Sequence, residues 1–93
     1  MSKASARHIL VETQKECERL KTEIEGGKDF AEIAKEHSLC PSGVQGGDLG
    51  EFGPGQMVKE FDEVVFSEEV GKTHGPVKTS FGYHLIEVTK RTG

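Results

Sequence analysis

The 93-residue chain has no tryptophan, one tyrosine, three prolines and two cysteines. Two cysteines do not make the dense disulfide framework of secreted miniproteins, and Cys17 and Cys40 sit in dissimilar surroundings, so both are expected to be free thiols. No apolar run approaches the eighteen or so residues that a membrane-spanning helix needs. Clustered basic residues are missing too. With a formal charge of -4 and scattered Lys and Arg, the chain lacks the surface that binds nucleic acid or acidic membranes by counterion release. The amino terminus "MSKASARHILVE" lacks the apolar core of a secretion signal, so nothing in it directs export and a cytoplasmic protein is expected. Low-complexity tracts and internal repeats are also absent. With 33% hydrophobic and 30% charged residues, the composition is that of one globular domain over 1–93, near the lower length limit for a self-sufficient core.

Glycine is plentiful and unevenly placed. Between Leu39 and Gly55 lie Gly43, Gly46, Gly47, Gly50, Gly53 and Gly55 together with Pro41 and Pro54, which marks a shaped loop, with one short strand expected at "DLGEF". Around it the periodicities are regular. "ARHILVE" alternates, with Ala6, His8 and Leu10 on one side and Arg7, Ile9 and Val11 on the other, predicting a strand at 5–11 covered on both faces. Thr13 with Glu16 has the form of a capping box, and Cys17, Leu20 and Ile24 recur at helical spacing until Gly26-Gly27, predicting a helix over 13–26. Asp29 with Glu32 repeats the device for a shorter helix ending near Ser38. Met57, Val58, Phe61, Val64 and Val65 predict a third helix over 57–66. "HGPVKTS" and "YHLIEVTK", joined at the "FG" turn signal, predict a closing hairpin. The order β-α-α-β-α-β-β with short connections points to the α+β class, an antiparallel sheet packed by helices.

Four residues invite a chemical reading: His8, Cys40, Thr79 and His84. If the first and last strands are neighbours, a same-face histidine pair has Cβ atoms about 5 Å apart and can share a hydrogen bond. Three readings stand side by side. The histidines can be buried polar side chains with satisfied partners; a strand histidine can activate Cys40 as a nucleophile, although no oxyanion-hole signal is visible; or the set can bind zinc, against which there is neither Cys-x-x-Cys nor His-x-x-x-His spacing. Met57, Phe61 and Phe81 are open in the same way. Apolar residues at helical spacing usually make core, but the glycines of "GEFGPGQMVKEF" leave little bulk to cover Met57, and a phenylalanine is an unexpected choice in a hairpin turn, so these residues can instead line an open apolar pocket.

Four segments, "HILV", "DFAEIAKEHSLCPSG", "GGDLGEFGPGQMVKEFDEVVF" and "GPVKTSFGYHLIEV", together resemble the parvulin family of peptidyl-prolyl cis-trans isomerases over nearly the whole chain. The resemblance implies a four-stranded antiparallel sheet surrounded by helices, an architecture parvulins share with FKBP-like folds. It implies that His8 and His84 are the paired histidines of the site, that Cys40 is its thiol, and that Thr79 supplies the hydroxyl of their hydrogen-bond network. Leu49, Met57 and Phe61 match the proline-ring pocket, and Phe81 matches a rim position where members vary. The implied activity is rotation about X-Pro bonds in unfolded or flexible client polypeptides by a monomer, with no cofactor and no metal. A peptide-holding chaperone module using the same apolar cup is the alternative. "HILVETQKECERL" passes from strand to helix without the basic loop that phosphate-preferring parvulins insert there, which implies the phosphate-indifferent branch.

Overall fold

The computed structural model describes residues 3–92. Strand β1 (Lys3–Val11) lies inside a four-stranded sheet of order β2-β1-β4-β3, with β2 at Asp48–Phe52, β3 at Thr73–Thr79 and β4 at Gly82–Thr92. All three pairings are antiparallel. The alternation in "ARHILVE" decides what each face of β1 meets. Ile9 and Val11 join Leu85 with Cys17, Leu20, Phe30, Ile33 and Ala34 in one half of the core. Ala4 and Ala6 join Ile86 and Val88 with Phe52, Phe61 and Val65 in the other. The sheet thus separates two hydrophobic layers, and its central strands are greasy on both sides.

Helices α1 (Gln14–Glu25) and α2 (Phe30–His37) supply the first layer. Both start where the capping signals place them. The Glu16 N–H donates to Thr13 Oγ1 (3.2 Å) and the Glu32 N–H to Asp29 Oδ2 (3.2 Å), each satisfying an amide that the helix itself leaves orphaned. Lys21 Nζ reaches from α1 to donate to the Gly75 carbonyl on β3 (2.9 Å), so the helix is tied to the edge strand as well as packed on it.

Helix α3 (Lys59–Ser67) supplies the second layer and starts two residues later than the apolar stripe suggests. Val58 occupies the cap position in extended conformation with no side-chain acceptor, and Met57 precedes the helix altogether. The turn before it is closed by side chains instead. The Gly53 N–H donates to Gln56 Oε1 (2.7 Å) and the Gly55 N–H to Asp62 Oδ1 (3.1 Å), so "GPGQ" folds back on the helix it introduces. At the other end Arg91 Nη1 donates to the carbonyls of Val65 (3.0 Å) and Glu68 (2.6 Å), serving a helix whose last turn has no basic residue.

The glycine-rich loop contains one regular piece not legible beforehand, a 3-10 turn at Pro41–Gln45. It is bound to β1 by backbone. The Leu39 N–H donates to Leu10 O (2.8 Å), the His8 N–H to Gly47 O (2.9 Å), and the Gly47 N–H to Ser42 O (2.9 Å). Gly47 has a φ of +84°, and a Cβ on it would fall on the carbonyl oxygen of His8. Only glycine lets the loop come this close to the strand.

Candidate active site

His8 and His84 project from neighbouring central strands on the α3 side of the sheet. They are diagonal rather than opposite, since His8 pairs with Ile86 and His84 with Leu10. The rings lie nearly parallel, 15° apart with centroids at 5.3 Å, and the two Nδ1 atoms are 3.1 Å apart. Below them the Phe61 ring stands edge-on to both, at 5.6 Å from His8 and 6.2 Å from His84. This is the geometry in which ring edge and ring face attract.

Each histidine has a hydroxyl partner on its outer nitrogen. His84 Nε2 is 2.8 Å from Thr79 Oγ1, which also accepts the Phe81 N–H at 3.1 Å. His8 Nε2 is 3.1 Å from Ser42 Oγ, and that hydroxyl donates to Cys40 Sγ at 3.3 Å. Sulfur and imidazole therefore communicate through Ser42 and not by direct contact. Burial pushes the His8 pKa down to about 4, helped by the neighbouring His84. Burial lowers His84 as well, against the opposing charge of Glu60. Both rings are therefore neutral at pH 7, which leaves one Nδ1 free to accept in the shared Nδ1···Nδ1 hydrogen bond.

Above the histidines opens a cavity of about 470 Å³. His8, His84 and Phe61 form its floor; Leu39, Cys40 and Pro41 form one wall; Leu49, Met57 and Val58 form the other; Leu10 and Phe81 complete the mouth. Of the eight residues singled out in the sequence, seven line this cavity, and Thr79 sits behind His84 as its hydrogen-bond partner. Phe61 is buried, while Leu49 and Met57 are half-exposed and the cup stays open. At the rim Phe81 is 68% exposed, Leu39 58% and Val58 39%. No Asp, Glu, Lys or Arg lines it.

Sequence reasoning missed Ser42, Leu10, Leu39 and Val58. Leu10 lies on the same strand face as His8 and was legible as such. The others depend on how the loop docks. Ser38 controls part of that docking, since its Oγ accepts the N–H groups of both Leu10 (3.1 Å) and Cys40 (3.3 Å). Both cysteines are free; Cys17 is buried in the other core layer, where burial pushes its thiol pKa up to about 11. Among the described residues no group of three or more His, Cys, Asp or Glu is placed to hold a metal ion.

Comparison with known proteins matches this fold. A family model described as the PPIC-type PPIase domain, a rotamase, matches residues 3–90. The foldase protein PrsA of Geobacillus sp. strain WCH70 is 50% identical over 90 residues, covering 96% of this chain and 33% of that one. A crystal structure of the peptidylprolyl isomerase PrsA from Bacillus anthracis superposes with a TM-score of 0.95 at 34% identity, over 99% of this chain and 43% of that one. The solution structure of NmPin, the parvulin of Nitrosopumilus maritimus, superposes with a TM-score of 0.87 at 36% identity and covers 97% of this chain and 98% of that one. The chain spans about a third of the length of the curated relatives it matches.

Proposed function

We propose that this chain, which belongs to the PPIC-type peptidyl-prolyl isomerase (parvulin) family, catalyses rotation about X-Pro bonds in unfolded or flexible polypeptides and so assists their folding. The observation that carries the reading is the apolar cavity of about 470 Å³ set on a neutral histidine pair beside one thiol. Rotation must break amide resonance over a barrier of about 18–20 kcal/mol, and no bond is made or cut. The catalyst has only to favour the twisted amide over the planar one. Planar amide is the more polar species and loses more when water is removed, so a dry seat for the pyrrolidine ring raises the ground state selectively.

In this reading Leu49, Met57 and Phe61 hold the ring, and Phe81 bounds the mouth. Burying about 100 Å² of ring surface stabilises the complex by roughly 2.5 kcal/mol, weaker than a millimolar affinity on its own, so binding is loose and turnover is favoured. Cys40 acts on the carbonyl by electrostatics, with Pro41 restricting its backbone to extended geometry. His8, Thr79 and His84 form the hydrogen-bonded floor. The finer expectations, a monomer in the cytoplasm indifferent to phosphate, belong to the proposal, and sedimentation, cell fractionation and phosphopeptide turnover test them.

A second reading, a module that holds apolar segments without turnover, draws on the exposed Phe81, Leu39 and Val58 at the mouth and on the foldase name of the relatives. Proline-limited refolding of a model protein with sub-stoichiometric amounts of this chain separates the two. Acceleration of the slow phase supports catalysis. An unchanged slow phase with suppressed aggregation sinks the isomerase and leaves the holding module.

A further inference from the structure

Ser42 stands between the histidine floor and the sulfur, and the partners of the five polar groups fix which way its hydroxyl points. Thr79 Oγ1 accepts the Phe81 N–H, and its side chain is buried. A buried hydroxyl proton needs an acceptor, and the one recorded within reach is His84 Nε2 at 2.8 Å. With Thr79 donating, His84 carries its proton on Nδ1 and donates to His8 Nδ1. His8 is then protonated on Nε2 and donates to Ser42 Oγ, and the Ser42 proton is left for Cys40 Sγ at 3.3 Å. Every donor in the row finds an acceptor in this direction. In the reverse direction Thr79 keeps an unpaired proton in a buried place, which is costly.

We infer that Ser42 is a positioning residue that transmits this polarity to the thiol, holding Cys40 Sγ as a hydrogen-bond acceptor at the wall of the cleft. The inference rests on the isomerase reading for its catalytic consequence. Electron density beside a substrate carbonyl disfavours the charge-separated planar amide more than the twisted one, so the arrangement aids rotation and not ground-state binding. A second set of contacts places Ser42 independently of its side chain. Gly47 donates its N–H to the Ser42 carbonyl and accepts the His8 N–H, both at 2.9 Å, so the backbone clamps residue 42 to the strand that carries His8.

The test uses Ser42→Ala and Ser42→Thr in the full chain, with three readouts. For Ser42→Ala we expect kcat for a proline tetrapeptide to fall about fivefold, the size of one lost hydrogen bond, with KM within about twofold. The rate of Cys40 alkylation by iodoacetamide at fixed pH changes, because the sulfur loses the hydroxyl that donates to it. In 15N spectra the Nε2–H signal of His8 shifts and exchanges faster, while His84 stays the Nδ1–H tautomer. Ser42→Thr keeps the hydroxyl and restores most of all three.

Alkylation and His8 signals unchanged in Ser42→Ala overturn the inference, as does a His84 found protonated on Nε2 in the parent chain, or a Thr variant no better than Ala. If Ser42→Ala does not fold, the His84 tautomer in the parent and the alkylation rate of Ser42→Thr still decide. A parent chain without turnover defeats the isomerase reading alone, because the alkylation and tautomer readouts need no turnover.

Discussion

His8 Nδ1 and His84 Nδ1 face each other at 3.1 Å, and that contact exists only while one of the two nitrogens lacks a proton. With His84 donating, protonating His8 on Nδ1 sets two donors against each other. Its pKa is held near 4, against an ordinary value of 6.5 that the unfolded chain regains. Between those values the unfolded state binds the proton and the folded state does not, so stability falls as pH falls from about 6.5 to about 4 and then levels off. The loss is about 3 kcal/mol for His8, and His84, lowered in the same direction, adds to it. Urea midpoints at pH 7, 5.5 and 4 check this; in His8→Phe the dependence should be visibly flatter, and an equally steep curve there would assign the effect to other groups.

Met57 and Phe61 share the cavity but not the same burial. Phe61 is 3% exposed and packs in the second core layer, so Phe61→Ala is expected to cost about 3–5 kcal/mol of stability along with activity. Met57 lies half-exposed ahead of α3, so Met57→Ala should cost under about 1.5 kcal/mol yet lower kcat/KM by about tenfold, or roughly 1.4 kcal/mol of transition-state stabilisation. Cys40→Ser should lose less activity than Met57→Ala. Stopped-flow refolding assays with the three variants give the ranking, and the opposite order would make the thiol the principal actor.

Gly47→Ala should be far more harmful than Gly50→Ala. Both glycines have positive φ, +84° and +71°, so each substitution carries about 1–2 kcal/mol of left-handed strain. Around Gly50 there is open space, whereas a Cβ on residue 47 runs into the His8 carbonyl. The difference between the two denaturation curves isolates the close approach, expected at about 2 kcal/mol or more. Equal losses would mean that the loop can lift off β1 at no cost.

Arg91 holds the carboxyl end of α3 from the last strand. Arg91→Met is expected to cost about 1–3 kcal/mol, because two carbonyls lose a charged donor, and to lower the melting temperature by several degrees for a domain of this size. Activity at 25 °C should be retained, since Arg91 is absent from the cavity lining. Thermal melts alongside peptide turnover check both halves.

The parts of this molecule legible in the sequence are those fixed by short-range rules. Thr13 and Asp29 announce their helices because the acceptor lies three residues before the amide it serves. Alternation announces β1 and β4 because a strand buried on both sides needs two apolar sets; His8, Cys40, Thr79 and His84 stand out by residue type and position, and the family likeness in "HILV", "DFAEIAKEHSLCPSG" and "GPVKTSFGYHLIEV" assigns their roles. The start of α3 was misjudged because Met57 and Val58 continue its apolar stripe, and the side chains that end the preceding turn, Gln56 and Asp62, carry no local signature. Ser42 was invisible for a deeper reason. Its importance comes from a loop laid across β1 by Gly47 and Ser38, whose partners there, His8 and Leu10, are far away in the sequence.

The two faces of β1 serve unrelated purposes through adjacent residues, with His8 at the floor of the cleft and its neighbour Ile9 in the opposite core layer. Adding or deleting a single residue in β1 before His8 would exchange the two sets and send an imidazole into oil and an isoleucine into the cleft. Length variation is therefore disfavoured in β1, and equally in β4, where Leu85 and Ile86 divide between the same two layers, and such changes belong in the turns, where neither half keeps count.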